Sequence, residues 1–336
     1  MDSLTQLTLG ASVAVAVMAN TPGSRAKVAL AGAVLGTLPD LDVVIDYGDA
    51  ISNMVLHRTE SHALFYQTLA SPLLAWFAAL CCQQRQYYWR WLLATWLVLV
   101  SHTFIDAMTI YGTQFALPFS NTPFAVGSIF IIDPVYTLPL ILGLGWYLFG
   151  KRHGLTANYT ALALSSAYLV WSALAQWHVS QITQRSLQQQ QLHYQQLLVT
   201  PAPLNTVLWR IVVMTDTGYA EGFYSLLDKS QQISFHHIAR NNSLKQRYAN
   251  LKPVQQLAWF SRGFYSLEQQ GEQLLLTDLR MGQEGSYAFQ FVIDPSDNQA
   301  IQQLPMRRDM AIALPWLWQR LQGQPLASPY LSDISQ

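Results

Sequence analysis

Long apolar runs dominate the first half of the chain, and short alternating runs dominate the second. Apolar stretches at about 7–20, 28–45, 64–82, 91–111, 128–149 and 157–178 hold few charges. At 1.5 Å per helical residue, the last four are long enough to cross a hydrocarbon core about 30 Å thick. The first two are short and rich in Gly and Ala, which suits tilted, tightly packed or partly spanning helices. Residues 181–198, with Gln188-Gln189-Gln190-Gln191, read as a helical stalk that Pro201 and Pro203 end. Beyond it, 210–215, 222–227, 273–278 and 287–294 alternate as strands of a small antiparallel sheet, and a closing helix over about 308–321 carries Trp316 and Trp318. The pattern predicts an all-α polytopic membrane domain of about six helices over 1–180. A Gln-rich helical linker over 181–200 and a small α+β soluble domain with an antiparallel sheet over 201–325 follow it.

Charge sharpens this division. Only 11% of residues are charged, against roughly 25% in an average soluble domain. Residues 1–180 hold 7 Lys/Arg and 8 Asp/Glu, and residues 181–336 hold 12 and 11, so the soluble character belongs to the second half. Zero net charge gives no footprint for nucleic acid, and none is expected as a partner. Adjacent Cys81 and Cys82 read as two inert buried thiols. The first residues, Met1-Asp2-Ser3-Leu4-Thr5-Gln6, have no basic segment, which argues against a cleaved signal peptide. Arg25 and Lys27, Arg85 and Arg90, and Lys151 and Arg152 fall in loops on one side, which the positive-inside rule makes cytoplasmic. Asp2, Asp40, Asp42, Asp46, Asp49, Glu60, Asp106 and Asp133 all map to the other face, with His57, His62 and His102. An even number of spans places the C-terminal domain on that outer side too.

Four short elements carry the chemistry. Gly36-Thr37-Leu38-Pro39-Asp40-Leu41-Asp42 breaks a helix at proline and presents two carboxylates. His57-Arg58-Thr59-Glu60-Ser61-His62 precedes the third apolar run. Ser101-His102-Thr103-Phe104-Ile105-Asp106 sets a His and an Asp four apart on one helical face. Asp133-Pro134 stands at the edge of the fifth run. Imidazole with carboxylate suits divalent transition metals, zinc in particular. A catalytic metal also needs an open position where water loses a proton near neutral pH. Each element has a plain structural alternative: a cap or turn for Asp40 and Asp42, interfacial residues for His57 and His62, and a helix cap for Asp133. His102 and Asp106 lie inside an apolar run, where ionisable groups are costly and usually functional.

At these residues the chain resembles the YdjM-like family of bacterial membrane-bound, metal-dependent hydrolases. Pro39-Asp40-Leu41-Asp42, the His57–His62 motif and Ser101–Asp106 match its motifs in order and spacing over the first 110 residues. The family often has His where this chain has Gln6; glutamine is a poorer ligand, so that corner is either an outer support or a lost metal position. The resemblance implies an inner-membrane location and, through a distant similarity to zinc phospholipase C and single-strand nucleases, phosphoester chemistry. Residues 200–320 resemble the C-terminal extension that some members carry.

The expected function is metal-dependent hydrolysis of an ester or phosphoester at the outer face of the inner membrane. Membrane lipids and a lipid-linked or anionic small-molecule substrate are the expected partners. The expected metal ligands are Asp42, His57, His62, His102 and Asp106, with Asp40 and Arg58 catalytic and Asp2, Gln6 and Asp133 as outer supports. Arg210, Arg262 and Arg280 read as exposed basic positions and are candidate grips for an anionic substrate, against a plainer role in salt bridges. The alternative is a non-catalytic membrane scaffold or binding protein with a structural metal. A transporter ranks third, because the charges crowd one edge and no repeat is visible.

Overall fold

The computed structural model describes residues 1–150, 152–307 and 309–330. The chain forms two compact units. The first comprises Met1–Ile45, His57–Ala173 and Pro203–Asn205; the second comprises Asp46–Leu56, Leu174–Ala202 and Thr206–Gln336.

The first unit is helical: α1 (Ser3–Val17), α2 (Arg25–Thr37), α4 (Leu64–Cys81), α5 (Tyr88–Met108), α6 (Pro134–Phe149) and the start of α7 (Gly154–Gln189). Asp2, Ser24 and Asp133 cap α1, α2 and α6 by accepting backbone N–H bonds, which satisfies the free donors of each first turn. The core between these helices is built largely of small side chains, among them Ala11, Ala14, Ala29, Ala33, Ala75, Ala79 and Ala94, around Trp91 and Val98. The tightest approach is the crossing of α1 and α2. A Cβ on Gly10 would stand 2.7 Å from the Gly36 Cα, and one on Gly36 would stand 2.6 Å from the Gln6 carbonyl oxygen. Only hydrogen fits there, as at other small-residue helix contacts in membranes.

Among the described residues two helices, Leu64–Cys81 and the run Arg85–Met108, are long and apolar enough to cross a membrane. The expected count of six is therefore not reached. The first apolar run folds as the 15-residue α1, and the second stops at Thr37, where Pro39 turns it into a 3-10 helix over Pro39–Val44. The fifth run is shortened to the 16-residue α6, because Pro134 begins it. Helix α4 turns Leu69, Leu73, Trp76 and Phe77 outward.

The second unit contains α3 (Ala50–Leu56) and the rest of α7, then β1 (Gln196–Pro201), β2 (Leu208–Thr215), β3 (Gly218–Ser225) and β4 (Phe235–Ala239). These strands form one antiparallel sheet in chain order. Helices α8 (Asn242–Arg247) and α9 (Lys252–Phe260) lead to β5 (Tyr265–Gln270) and β6 (Gln273–Asp278). After the hairpin β7 (Gly282–Gln283) and β8 (Ser286–Tyr287) come β9 (Gln290–Asp294), β10 (Asp297–Gln303) and α10 (Met310–Leu321). A second antiparallel sheet runs β10-β9-β6-β5. The C-terminal part thus has two four-stranded sheets where alternation alone suggested one.

Other expectations shift as well. The 181–200 stretch is no free stalk: α7 ends at Gln189 and β1 takes its last residues into a sheet. Arg210 and Arg280 are buried, with Arg210 Nε donating to Glu221 at 2.6 Å and Arg280 forked onto Asp278 at 2.7–3.2 Å. Their charges are matched locally, which favours the salt-bridge alternative for Arg280; Arg262 is exposed, in a left-handed conformation that closes α9. Lys151 and Arg308 lie outside the described residues.

Gly10→Ala and Gly36→Ala each force α1 and α2 apart and lower stability by about 1–3 kcal/mol, the usual cost of overpacking. Thermal unfolding in detergent measures this. The control is Gly145→Ala, which leaves stability nearly unchanged because a Cβ on Gly145 meets open space.

Candidate metal centre

Three elements of the first unit deliver four ligand atoms to one point. The break after α2 brings Asp40, the single 3-10 turn Glu60–His62 brings His62, and the end of α5 brings His102 and Asp106 one turn apart. His62 Nε2 lies 3.4 Å from Asp40 Oδ1 and 3.3 Å from Asp106 Oδ2. His102 Nε2 lies 3.5 and 3.4 Å from the same two oxygens, and 3.1 Å from His62 Nε2. All four atoms fall within 4.8 Å of one another. A tetrahedral ion with bonds of about 2.0–2.1 Å separates its ligand atoms by about 3.3–3.4 Å, so the cage has the size of a divalent transition metal.

Outer hydrogen bonds set the imidazole tautomers. His102 Nδ1 is 2.6 Å from the Gly36 carbonyl oxygen, which only accepts, so this nitrogen carries the proton. Ser61 Oγ donates to Asp42 Oδ2 at 2.6 Å and therefore accepts from His62 Nδ1 at 2.8 Å. Both neutral rings then turn bare Nε2 lone pairs inward, the second-layer pattern that prepares histidine for metal. The buried Asp40 Oδ1 and Asp106 Oδ2 accept no hydrogen bond. Four inward acceptors of this kind need a cation at their centre.

In the metal-free protein a proton can take that role. Burial alone would lower the His62 pKa, but the carboxylates of Asp106, Asp40 and Asp42 outweigh it and push it up to about 9. Burial would raise Asp40, yet the His102 and His62 imidazoles beside it hold it well below the usual carboxylate range. Asp42 is likewise held low against burial by His57, His62 and Ser61.

The expected ligand set is rearranged. Asp40, expected as catalytic, joins the cage. Asp42 and His57 pair beside it instead, with His57 Nδ1 donating to Asp42 Oδ1 at 2.7 Å. The Arg58 backbone N–H also donates to Asp42, at 3.0 Å, which fixes the 57–62 turn with Arg58 in a left-handed conformation. The Arg58 side chain is buried, its Nε 3.3 Å from Asp106 Oδ2 and its guanidinium 4.8 Å over the Tyr111 ring. Gln6 is an outer support, donating to Asp106 Oδ1 at 3.0 Å. Asp2 and Asp133 are caps: Asp2 binds Thr5, and Asp133 binds the first turn of α6 and the Tyr168 hydroxyl at 2.8 Å. The sequence pattern did not flag Ser61, Tyr111, the Gly36 carbonyl or the buried Met1 amino group that meets Asp106. Ser61 and Gly36 lay inside quoted motifs, but neither was singled out as a partner of the histidines.

The family model described as "YdjM inner membrane protein" matches residues 1–179, more than half of the chain. The chain belongs to this family of inner membrane proteins, and the match contains every residue of the cage. The uncharacterized protein YfhP of Bacillus subtilis (strain 168) is 23% identical over 287 residues, covering 82% of this chain and 84% of the relative. That span is longer than the family match, so the similarity continues into the second half. No solved structure matches.

Ser61→Ala removes the acceptor that orients His62 and weakens metal binding by about 10–100-fold, the usual loss for an outer hydrogen bond. Competition with a chelator of known affinity measures it. Because the ion must displace the His62 proton, affinity falls about tenfold per unit as pH drops below about 9 and levels off above it.

Proposed function

We propose that this chain, as a member of the YdjM inner membrane protein family, is a metal-dependent hydrolase that cleaves an ester or phosphoester at the outer face of the inner membrane. The supporting observation is a cage of two imidazoles and two carboxylates with a single open side. Asp40 is 22% exposed, whereas His62, His102 and Asp106 are at most 1% exposed, so solvent reaches the cage past Asp40. The nitrogen and oxygen donors and their near-tetrahedral spacing suit zinc.

His62, His102 and Asp106 would hold the ion, which supplies Lewis acidity and lowers the pKa of bound water when present. Asp40, on the open side, accepts a proton from water entering there. Arg58 is a fixed buried cation that offsets negative charge developing beside Asp106. His57, held by Asp42 and partly exposed, exchanges a proton with the leaving group. His62 lies two residues before α4 and Asp106 two residues before the end of α5. With both helices spanning, the cage comes to lipid-headgroup depth, which favours a lipid-linked or anionic substrate. The basic loops Arg25/Lys27 and Arg85/Arg90 favour a cytoplasmic side opposite the cage, and hence an extracytoplasmic C-terminal unit.

One observation favours a second function, a scaffold with a structural metal: four protein ligands close a tetrahedron, as structural zinc sites do. The two functions part at the groups outside the cage, which hydrolysis needs and a structural metal does not.

Full-length protein in nanodiscs carries about one divalent cation per chain by elemental analysis, and His102→Ala abolishes it. Protein that holds no metal after reconstitution with zinc would overturn both functions. His57→Gln keeps the metal and lowers phosphoester hydrolysis by about 10²–10⁴-fold, the range for a lost acid–base group; Arg58→Lys keeps it and lowers hydrolysis by about 10²–10³-fold, the range for a lost charge-stabilising donor. Wild-type protein that holds metal but hydrolyses no phosphoester or lipid ester leaves the scaffold standing.

A further inference from the structure

From Ala107 to Ile132 the chain carries no Asp, Glu, Lys, Arg or His. This segment leaves the end of α5 immediately after Asp106 and returns at Asp133, so it joins two sharply polar points through 26 uncharged residues. It is not buried throughout. Phe119 is 80% exposed, and Pro118, Phe124 and Val126 are exposed with it. A connection facing water ordinarily carries polar and charged side chains, and exposed aromatic clusters mark contact surfaces.

The segment is well anchored. Thr113 and Phe124 pair as a two-way backbone bridge at 2.8 and 2.9 Å, and the Phe115 and Phe124 rings meet at a tilt with centroids 4.4 Å apart. The Gln114 N–H donates to the Arg58 carbonyl at 3.0 Å, which ties the loop to the metal-centre turn. The Leu64 N–H donates to the Phe115 carbonyl at 3.0 Å, which ties it to the first residue of α4. The Phe119 ring then packs edge-on against Phe65, with centroids 5.6 Å apart, and Phe65 meets Tyr66 in the same way at 5.4 Å.

Phe65 and Tyr66 open the outward face of α4, which continues through Leu69, Leu73, Trp76 and Phe77. The aromatic loop is thus continuous with the outer surface of a helix long and apolar enough to span the bilayer. In a protein of this inner membrane family, an apolar helix face of that length suits contact with lipid. Aromatic rings concentrate at the headgroup boundary, where an apolar body and a polar surrounding are both satisfied. Ser120, Asn121 and Thr122, at the tip beside Phe119, offer hydroxyl and amide groups to that layer, and no charge opposes entry.

We propose that the 115–126 loop is a membrane-interface anchor that seats Phe119 and its neighbours in the phospholipid headgroup layer beside the metal centre. Substrate would then reach the cage from the bilayer surface. This rests on α4 and α5 spanning the membrane with the cage at their shared end, and its test uses neither metal nor turnover.

The experiment places one nitroxide on full-length protein in vesicles of phosphatidylethanolamine and phosphatidylglycerol. Phe119→Cys is made in a Cys81→Ser, Cys82→Ser background, with Val126→Cys as a second label position. Gln270→Cys, on an exposed polar turn of the second unit, is the control. Labels at 119 and 126 are expected to relax more with dissolved oxygen than with a water-soluble nickel chelate, at a depth of about 5–10 Å into the headgroup boundary. The control favours nickel. A nickel-favouring result at 119 and 126 overturns the proposal, because the loop is then in water. Protection from both reagents also overturns it, because protein then covers the loop. Loss of metal binding with an oxygen-favouring label would sink the hydrolase function and leave the anchor intact.

Discussion

Two imidazoles with both Nδ1 protons committed outward, one to the Gly36 carbonyl and one to Ser61, must turn their lone pairs toward each other at 3.1 Å. Two carboxylate oxygens without hydrogen bonds face the same point. Acceptors in a low-dielectric interior repel unless a positive charge stands between them. A proton on His62 can serve, and the four atoms lie close enough together that they could hold a metal ion instead. Much of the first unit works to hold this unfavourable gathering in place.

That support begins at a distance from the cage. Gly10 and Gly36 let α1 and α2 touch backbone to backbone, and the contact fixes the end of α2 where Pro39 breaks it. Asp40 enters the cage from that break, and Gly36 lends its carbonyl to His102. Gln6, on the same helix α1, donates its side-chain amide to Asp106.

Arg58 links the cage to its surroundings. Its backbone is tied to Asp42 and to Gln114, and its side chain lies between Asp106 and Tyr111. A charge buried this deeply is tolerable because Asp106 and an aromatic face both meet it. The turn from His57 to His62, the end of α5 and the uncharged loop after it are therefore tied together through one residue. The cage and the exposed aromatic loop are built from adjoining residues.

The helical first half, the strand-rich second half and the gathering of His and Asp were legible in the sequence, because hydrophobic period and motif spacing are local properties. His102 and Asp106 were the clearest, since four-residue spacing inside an apolar helix already puts both on one face. Span count was not legible, because an apolar run does not record where Pro39 ends a helix, where Pro134 begins one or how closely glycines let neighbours approach. Nor could spacing assign Asp40 to the cage and Asp42 to His57: two carboxylates one residue apart look alike until a 3-10 turn sends them in different directions. Their separate roles came from tertiary structure alone, because a ligand set is a matter of distances among residues 40, 62, 102 and 106, and only packing sets those distances.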